Sequence, residues 1–206
     1  MLYENRLFFM QDLDKGYPSE ISCKGYILNE RTVSMDAQKE NTMEKNLLYH
    51  VGSLPKLMVN NHMRDNLAAF VLHELCSQKG FGLGKAAYFI NNPDFKCIKG
   101  IGGYHNAEAY NGITWENDAD FMKHLEQAAF HKKIREYQDT HLKNNSGKLS
   151  VDALQDQFEF DQAEAHVLNL KHDNQGIFLF EKKDHDKLVD DHLIDFVHYL
   201  SFCPVY

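Results

Sequence analysis

The feature that most constrains the fold is a run of six apolar residues, LAAFVL, at positions 67–72. A helix built on this run is apolar nearly all the way round, which is typical of a helix enclosed by the rest of a domain. The surrounding pattern predicts the helix from about residue 61 to residue 79, with Gly80 as the glycine that commonly follows a helix end. We therefore expect a buried central helix whose core residues are Leu67, Phe70, Val71 and Leu72.

Strands are predicted on both sides of this helix, mostly as hairpins. Residues 86–101 form two apolar runs on either side of the turn sequence Asn92-Pro93-Asp94. Residues 163–182 carry the strongest hairpin signal in the chain, because residues 166–171 alternate along the strand and HDNQG then turns into the second run, IFLFEK. Two N-terminal runs, NRLFFM and ISCKGYIL, are also typical of strands.

Further helices are predicted over residues 35–50, 118–144 and 184–201, with a short one at VDALQDQFEF. The sequence GSLP is expected to end the first of them. The apolar stripe of the second changes side near Ala129, which predicts either a kink there or packing on two sides. The third carries the core stripe Val189, Leu193, Phe196, Val197 and Leu200.

The order of these elements predicts the fold class. Strands and helices do not alternate regularly, so a doubly wound parallel sheet is not favoured. We expect a single α+β domain over residues 1–206, with a mixed or antiparallel sheet built from hairpins and packed against the central helix and a long C-terminal helix. A subdomain boundary near residues 144–148, in the sequence NNSG, is the alternative.

Charge and composition exclude several classes of function. The formal net charge is −8, whereas nucleic-acid binding requires a basic surface. No apolar run approaches the roughly 20 residues of a membrane span, and the N-terminus lacks the features of a signal peptide. The four cysteines form no C-x-x-C pair, as in reduced cytosolic proteins. We expect a cytoplasmic protein that binds neither nucleic acid nor membrane.

The acidic C-terminal quarter suggests a dependence of stability on pH. Residues 150–206 carry twelve acids against four lysines, together with five histidines. A histidine beside carboxylates has a raised pKa, and its stabilising effect is lost as the pH rises through that value. The sequence therefore predicts stability that declines from pH 6 to pH 8, with His73 of the central helix opposing the trend because burial favours its neutral form.

Two familiar motifs fail on geometry. His73-Glu74 begins like the H-E-x-x-H zinc motif, but Ser77 stands where the second histidine ligand is required. GFGLGK ends in Lys85 like a phosphate loop, but a helix precedes this loop and a strand follows it, which is the reverse of the required order. We expect His73 and Glu74 to hydrogen-bond to neighbouring elements instead.

The segment GIGGYHNAEAYNG, residues 100–112, is a better candidate site. It is predicted to leave a strand at Gly102-Gly103 and to present polar side chains on a loop, where catalytic groups commonly lie. His105 and Glu108 would share a face of a helical turn, and a histidine oriented by a carboxylate can act as a general base. An ordinary surface loop is the alternative.

A candidate metal site lies on the predicted last helix. Asp191, Asp195 and His198 are spaced i, i+4 and i+7, so their side chains fall on one face. Two carboxylates and an imidazole can hold a divalent cation. The same spacing is also typical of the solvated face of an amphipathic helix.

These features together favour a binding function. We expect a domain that binds a small molecule in an aromatic-lined pocket or binds a protein partner, because the chain has 24 Phe and Tyr residues and no strong catalytic motif. The alternative is a hydrolase or lyase that uses His105 and Glu108, with assistance from a divalent metal. The identity of any other cofactor does not follow from the sequence.

Overall fold

The computed structural model describes residues 29–110, 112, 117–140, 151–182 and 187–203, with backbone alone for residues 29–41, 43 and 187–191. Contacts divide the chain into a compact unit Glu40–Tyr206 and a unit Met1–Lys39, of which only the start of the first helix is described. The helices are α1 (Asn29–Asn60), α2 (Leu67–Cys76), α3 (Asp118–Gln127), α4 (Ala129–Arg135), α5 (Val151–Gln157) and α6 (Lys187–Val197). The strands are β1 (Lys85–Asn92), β2 (Cys97–His105), β3 (Gln138–Asp139), β4 (Glu164–Asn169) and β5 (Gln175–Glu181).

Helix α2 is the buried central helix that the sequence predicts. All ten of its residues are buried, and Val71 and Leu72 have no exposed surface. The helix is shorter than predicted, since it begins at Leu67 and ends at Cys76. The glycine with a left-handed backbone after this helix is Gly82, whose φ is 60°. A glycine is needed at position 80 for a different reason, because a Cβ there would lie 2.3 Å from the Leu75 carbonyl oxygen.

The sheet is antiparallel, and its strand order is β3-β2-β1-β5-β4. Two hairpins, β1-β2 and β4-β5, are joined through the pairing of β1 with β5. The second hairpin turns through His172 and Asp173, both with φ of 58°. This confirms the predicted α+β class and the sheet built from hairpins.

Both faces of the sheet are covered. One face packs against α2 and contributes Tyr88, Tyr104 and Phe178 to the larger core. The other face packs against α4 and α5 and contributes Phe89, Ile177 and Leu179 to a second core. The central strands therefore carry buried side chains in both directions, which explains their nearly continuous apolar sequences.

The glycines of β2 lie within the strand, so the predicted loop beginning at Gly102-Gly103 is wrong. A Cβ at Gly100 would lie 1.8 Å from the Ile134 carbonyl oxygen, and one at Gly103 would lie 2.8 Å from the Ile134 side chain. On the opposite face Gly102 lies against Ala69 and Leu72 of α2. These residues lack side chains because helices approach the backbone of β2 from both sides.

The predicted long helix over 118–144 is two helices. The chain is extended at Ala128, with ψ of 108°, and this break separates α3 from α4. Phe121 of α3 packs against Phe70 of α2, whereas Ile134 of α4 packs in the core on the other face of the sheet. The change of apolar side near Ala129 therefore marks a break, and α4 ends at Arg135 rather than near 144.

Helix α1 continues through Pro55, so the predicted end at GSLP is wrong. Proline removes one helical hydrogen bond, but Val51, Leu54 and Met58 on this part of α1 are all buried in the larger core. Tertiary packing of this face thus outweighs the local cost. None of the helices in the described ranges is both long and apolar enough to cross a membrane.

The long C-terminal helix is not confirmed. Helix α6 ends at Val197 and a 3-10 helix follows from His198 to Phe202, while the predicted start near Asp184 lies outside the described residues. The two predicted N-terminal strands and the boundary near residues 144–148 also lie outside them. The single domain over residues 1–206 stays a prediction.

Candidate functional site

His105 and Glu108 lie at the end of β2 and in the 3-10 helix Asn106–Glu108 that follows. The Glu108 Oε2 atom accepts a hydrogen bond from the Phe130 backbone N–H at 3.1 Å, so its carboxylate caps the N-terminus of α4. The His105 ring lies 6.0 Å from the Phe130 ring. Within the described part of the chain, no hydrogen bond joins His105 to Glu108.

An enzyme that used His105 would bring a further polar side chain to it. His73 and Glu74 are engaged elsewhere: His73 Nε2 lies 3.3 Å from the Gly103 carbonyl oxygen, and Glu74 Oε2 lies 3.0 Å from His50 Nε2. This confirms the expected hydrogen bond to a neighbouring element for His73, whereas Glu74 only approaches His50 of α1. The residue paired with His105 across the hairpin is Lys85. Its ammonium donates to the Phe158 and Glu159 carbonyl oxygens at 2.8 and 2.7 Å, so it is also engaged.

Of the predicted metal ligands, Asp191 and Asp195 lie on α6 and His198 begins the 3-10 helix that follows. The side chain of Asp191 lies outside the described residues. Asp195 is exposed, and His198 is an exposed residue whose ring lies 5.7 Å from that of His166. Among the residues that the structure describes, no three His, Cys, Asp or Glu side chains are arranged to hold a metal ion. The proposed triad, which includes an undescribed side chain, therefore stays a prediction.

Three histidines from three helices meet beside β2. The His73 ring of α2 lies 5.8 Å from the His124 ring of α3 and 6.3 Å from the His131 ring of α4. Tyr104 lies against His73, and Tyr110 stacks on His124 with ring centroids 5.0 Å apart. We call His73, His124 and His131 the histidine cluster.

Burial keeps the histidine cluster neutral. It lowers the pKa of His73 to about 3, with the neighbouring His131 and His124 adding to the effect. It lowers the pKa of His131 to about 4, against the opposing hydrogen bond to Gly103. The pKa of His124 is also lowered by burial, and the charge of Glu108 opposes this shift. At neutral pH these rings donate and accept hydrogen bonds without carrying charge.

The backbone of Gly103 lies against two of these rings. Its carbonyl oxygen lies 3.3 Å from His73 Nε2, so this nitrogen carries the proton when the bond forms. His131 Nδ1 lies 3.3 Å from the Gly103 nitrogen and 3.4 Å from the Gly103 carbonyl oxygen. His131 Nε2 is left for another group, as a donor when Nδ1 accepts from Gly103 and as an acceptor when Nδ1 donates to it.

A cavity of about 480 Å³ lies beside the histidine cluster. His131 forms part of its wall, together with residues from the start of α2, from β2, from α3 and from α4. Its apolar lining is Ala68, Ala69, Ile101, Met122 and Leu125, and its polar lining is Asp65, Asn66, Glu126, His131, Lys132, Arg135 and Glu136. Among the residues that the structure describes, the lining includes no Phe, Tyr or Trp, although the composition predicts an aromatic lining.

The sequence reasoning missed both the cavity and two members of the histidine cluster. His124 and His131 are seven residues apart on what the sequence predicts as one helix, and this spacing was the available signal. It did not suffice, because the third histidine lies about fifty residues earlier and comes close only through the packing of α2 against β2 and α3.

Comparison with known proteins adds no assignment to this geometry, because no protein-family model, curated protein or solved structure matches the chain.

Proposed function

We propose that this protein is a small-ligand-binding domain and that its ligand occupies the cavity between α2, β2, α3 and α4. The observation that carries the proposal is the cavity itself, with a volume of about 480 Å³, an apolar interior and polar side chains around it. Ligand sites are typically concave, mostly apolar and supplied with a few polar groups that orient the ligand.

The apolar part of the cavity is built from buried residues on rigid elements. Ala68 and Ala69 lie in the first turn of α2, Ile101 lies in β2 and Leu125 lies in α3, and all four are at most 6 % exposed. Two alanines in succession leave room that larger side chains would fill. A ligand there would remove apolar surface from water without a large rearrangement of the backbone.

The reduced state of the thiols supports a cytoplasmic location in this proposal. Cys76, Cys97 and Cys203 are all free cysteines, and two of them are buried in the core.

The hydrolase or lyase that would use His105 and Glu108 ranks second, because Glu108 is occupied as the cap of α4 and the polar neighbours of His105 are engaged.

Amide chemical shifts in a library of small fragments test the proposal. We expect some fragments to shift the backbone amides of Asn66, Leu125 and Arg135, which line the cavity. Ala68→Leu should abolish these shifts by filling the cavity, whereas Ala119→Leu on the exposed surface of α3 should preserve them. A library in which no fragment shifts these amides, or in which Ala68→Leu folds and binds as before, contradicts the proposal.

A further inference from the structure

We infer that the ligand of this cavity is a small zwitterion with an apolar body, of the chemical class of a free apolar amino acid. The inference rests on the proposed function, and it deepens it by assigning the chemistry of the ligand. It is carried by the distribution of donors, acids and apolar residues over the walls of the cavity.

Helix α4 supplies a wall of hydrogen-bond donors. His131 and Arg135 are one helical turn apart, and both are tied to β2. His131 Nε2 offers its N–H to a ligand in the tautomer in which Nδ1 accepts from the Gly103 N–H. Arg135 Nη1 donates to the Ile101 carbonyl oxygen at 3.3 Å. The other N–H groups of the guanidinium remain for a ligand, since arginine has five donors. A carboxylate fits this wall because it accepts several hydrogen bonds and opposes the charges of Arg135 and Lys132.

Acids line the cavity at the start of α2 and at the ends of α3 and α4. Asp65 precedes α2 and Glu126 lies near the end of α3, while Glu136 follows the last residue of α4. Among the described residues, the lining therefore carries three acids and two bases, with His131 neutral. A ligand with only a carboxylate would face the like charges of the three acids, and one with only an ammonium would face those of Arg135 and Lys132. A zwitterion offers an opposite charge to each set.

The interior selects an apolar body for this zwitterion. Four lining residues have side chains that form no hydrogen bonds: Ala68, Ala69, Ile101 and Leu125. Met122 adds a flexible and polarisable apolar side chain that is partly exposed. The volume of about 480 Å³ accommodates a side chain as large as a benzyl group. A polar body would lose its hydration in this part of the cavity without replacement.

Three probes of nearly the same shape test the inference. L-phenylalanine carries both charges, 3-phenylpropanoate lacks the ammonium, and 2-phenylethylamine lacks the carboxylate. We expect L-phenylalanine to bind at least fivefold more tightly than either of the others, with amide shifts at the residues that line the cavity. Calorimetry and amide titrations of the full chain at pH 7 measure these affinities.

Charge-removing variants assign each end of the probe. Arg135→Gln should weaken L-phenylalanine and 3-phenylpropanoate at least fivefold and leave 2-phenylethylamine within twofold. Glu126→Gln should weaken L-phenylalanine and 2-phenylethylamine while leaving 3-phenylpropanoate within twofold. Lys123→Gln and Asp120→Asn, which change exposed residues of α3 outside the cavity, are the matched controls and should leave every affinity within twofold.

The outcomes separate this inference from the proposed function. Equal binding of all three probes, or tighter binding of a singly charged one, overturns the zwitterion and leaves the cavity as a binding site. Binding that shifts amides away from the cavity overturns the inference too. If none of the three probes binds while other fragments shift the cavity amides, the ligand class is wrong and the proposed function stands. If no fragment of any kind does so, both are wrong.

Discussion

Lowering the pH from 7 to 5 should destabilise this protein because the histidine cluster is buried in its neutral form. The pKa of His73 is lowered from 6.5 to about 3 and that of His131 from 6.5 to about 4, chiefly by burial. In the unfolded chain both rings take up protons below pH 6.5, whereas in the folded chain they do not. The free energy of unfolding therefore falls as the pH falls from about 6.5 toward 4. Above that window the stabilising contribution of the two neutral histidines is fully present.

The magnitude follows from the same values. Each histidine that is protonated only on unfolding changes stability by about 1.4 kcal/mol per pH unit. Between pH 7 and pH 5 this gives about 2 kcal/mol for His73 and about 2 kcal/mol for His131. His73 and His131 are 2 % and 7 % exposed, so solvent screens these effects little. A loss of about 4 kcal/mol is a large part of the 5–15 kcal/mol that stabilises a typical domain.

His124 and His166, which are less buried than His73 and His131, should also lower the stability as the pH falls. The pKa of His124 is lowered by burial, and that of His166 is lowered by burial and then by its neighbour His198. His166 belongs to the acidic C-terminal quarter, where the sequence predicts raised values, and the prediction is wrong for this residue. The main reason is that the ring of His166 is partly buried, and the ring of His198 beside it adds to the shift.

Urea unfolding at pH 5.0, 5.5, 6.0, 6.5 and 7.0, at constant ionic strength, measures the effect. His73→Phe keeps an aromatic ring and removes one titrating group, so it should reduce the loss between pH 7 and pH 5 by about 2 kcal/mol. His172→Asn, at an exposed residue whose φ of 58° asparagine tolerates, is the matched control and should not change the dependence. Stability that stays level or rises as the pH falls to 5, or an unchanged dependence in His73→Phe, refutes the reasoning.

Four further predictions concern single elements of the fold. Gly100→Ala should destabilise the protein by about 3 kcal/mol in urea unfolding, because the new Cβ would meet the Ile134 carbonyl oxygen. Gly52→Ala, whose Cβ would have no atom within 4 Å, should instead stabilise α1 by about 0.5–1 kcal/mol. Equal effects of the two substitutions would contradict the packing of α4 on β2. Glu108→Gln should lower the free energy of unfolding by about 1 kcal/mol, because it removes the carboxylate at the N-terminus of α4. In a histidine NMR titration it should also lower the pKa of His124 further, because the charge of Glu108 raises that pKa. Asp156→Ala is the control, and an unchanged His124 titration in Glu108→Gln would show that Glu108 does not act on His124. Lys85→Met should lower the free energy of unfolding by about 1–3 kcal/mol, because two carbonyl oxygens lose a charged donor. Lys123→Met, at an exposed position, should have little effect. If Lys85→Met were as stable as the native chain, the two bonds would contribute nothing to stability. If Asp191, Asp195 and His198 bind a metal, then Mg²⁺, Mn²⁺, Ca²⁺ or Zn²⁺ should raise the melting temperature and Asp195→Asn should remove the rise, whereas a flat response to all four cations argues for a solvated helix face.

The buried helix and the hairpins could be predicted because their signals are local. The run from Leu67 to Leu72 leaves a helix without a polar face there, and residues 166–171 alternate with a period of two before a turn sequence and a second, apolar run. These patterns depend only on neighbours within the same element. They led to the correct fold class, to the central helix and to both hairpins of the sheet.

Errors arose where a distant element changed the outcome of a local preference. Pro55 lies inside α1 because Leu54 and Met58 gain burial on the core of the domain. Gly102 and Gly103 lie in a strand because helices cover both sides of it, although the same residues are typical of a loop. Neither helix could be seen from the glycines or the proline alone.

The sequence by itself determined which segments must be buried and with what periodicity, since these depend on the order of apolar and polar residues. The tertiary structure alone decided that His73, His124 and His131 meet, that the backbone of Gly103 contacts two of them, and that a cavity opens beside His131. Those groups come from α2, β2, α3 and α4, far apart along the chain. Their distances are set by how closely helices pack against a strand without side chains, and no periodicity within one element carries that information.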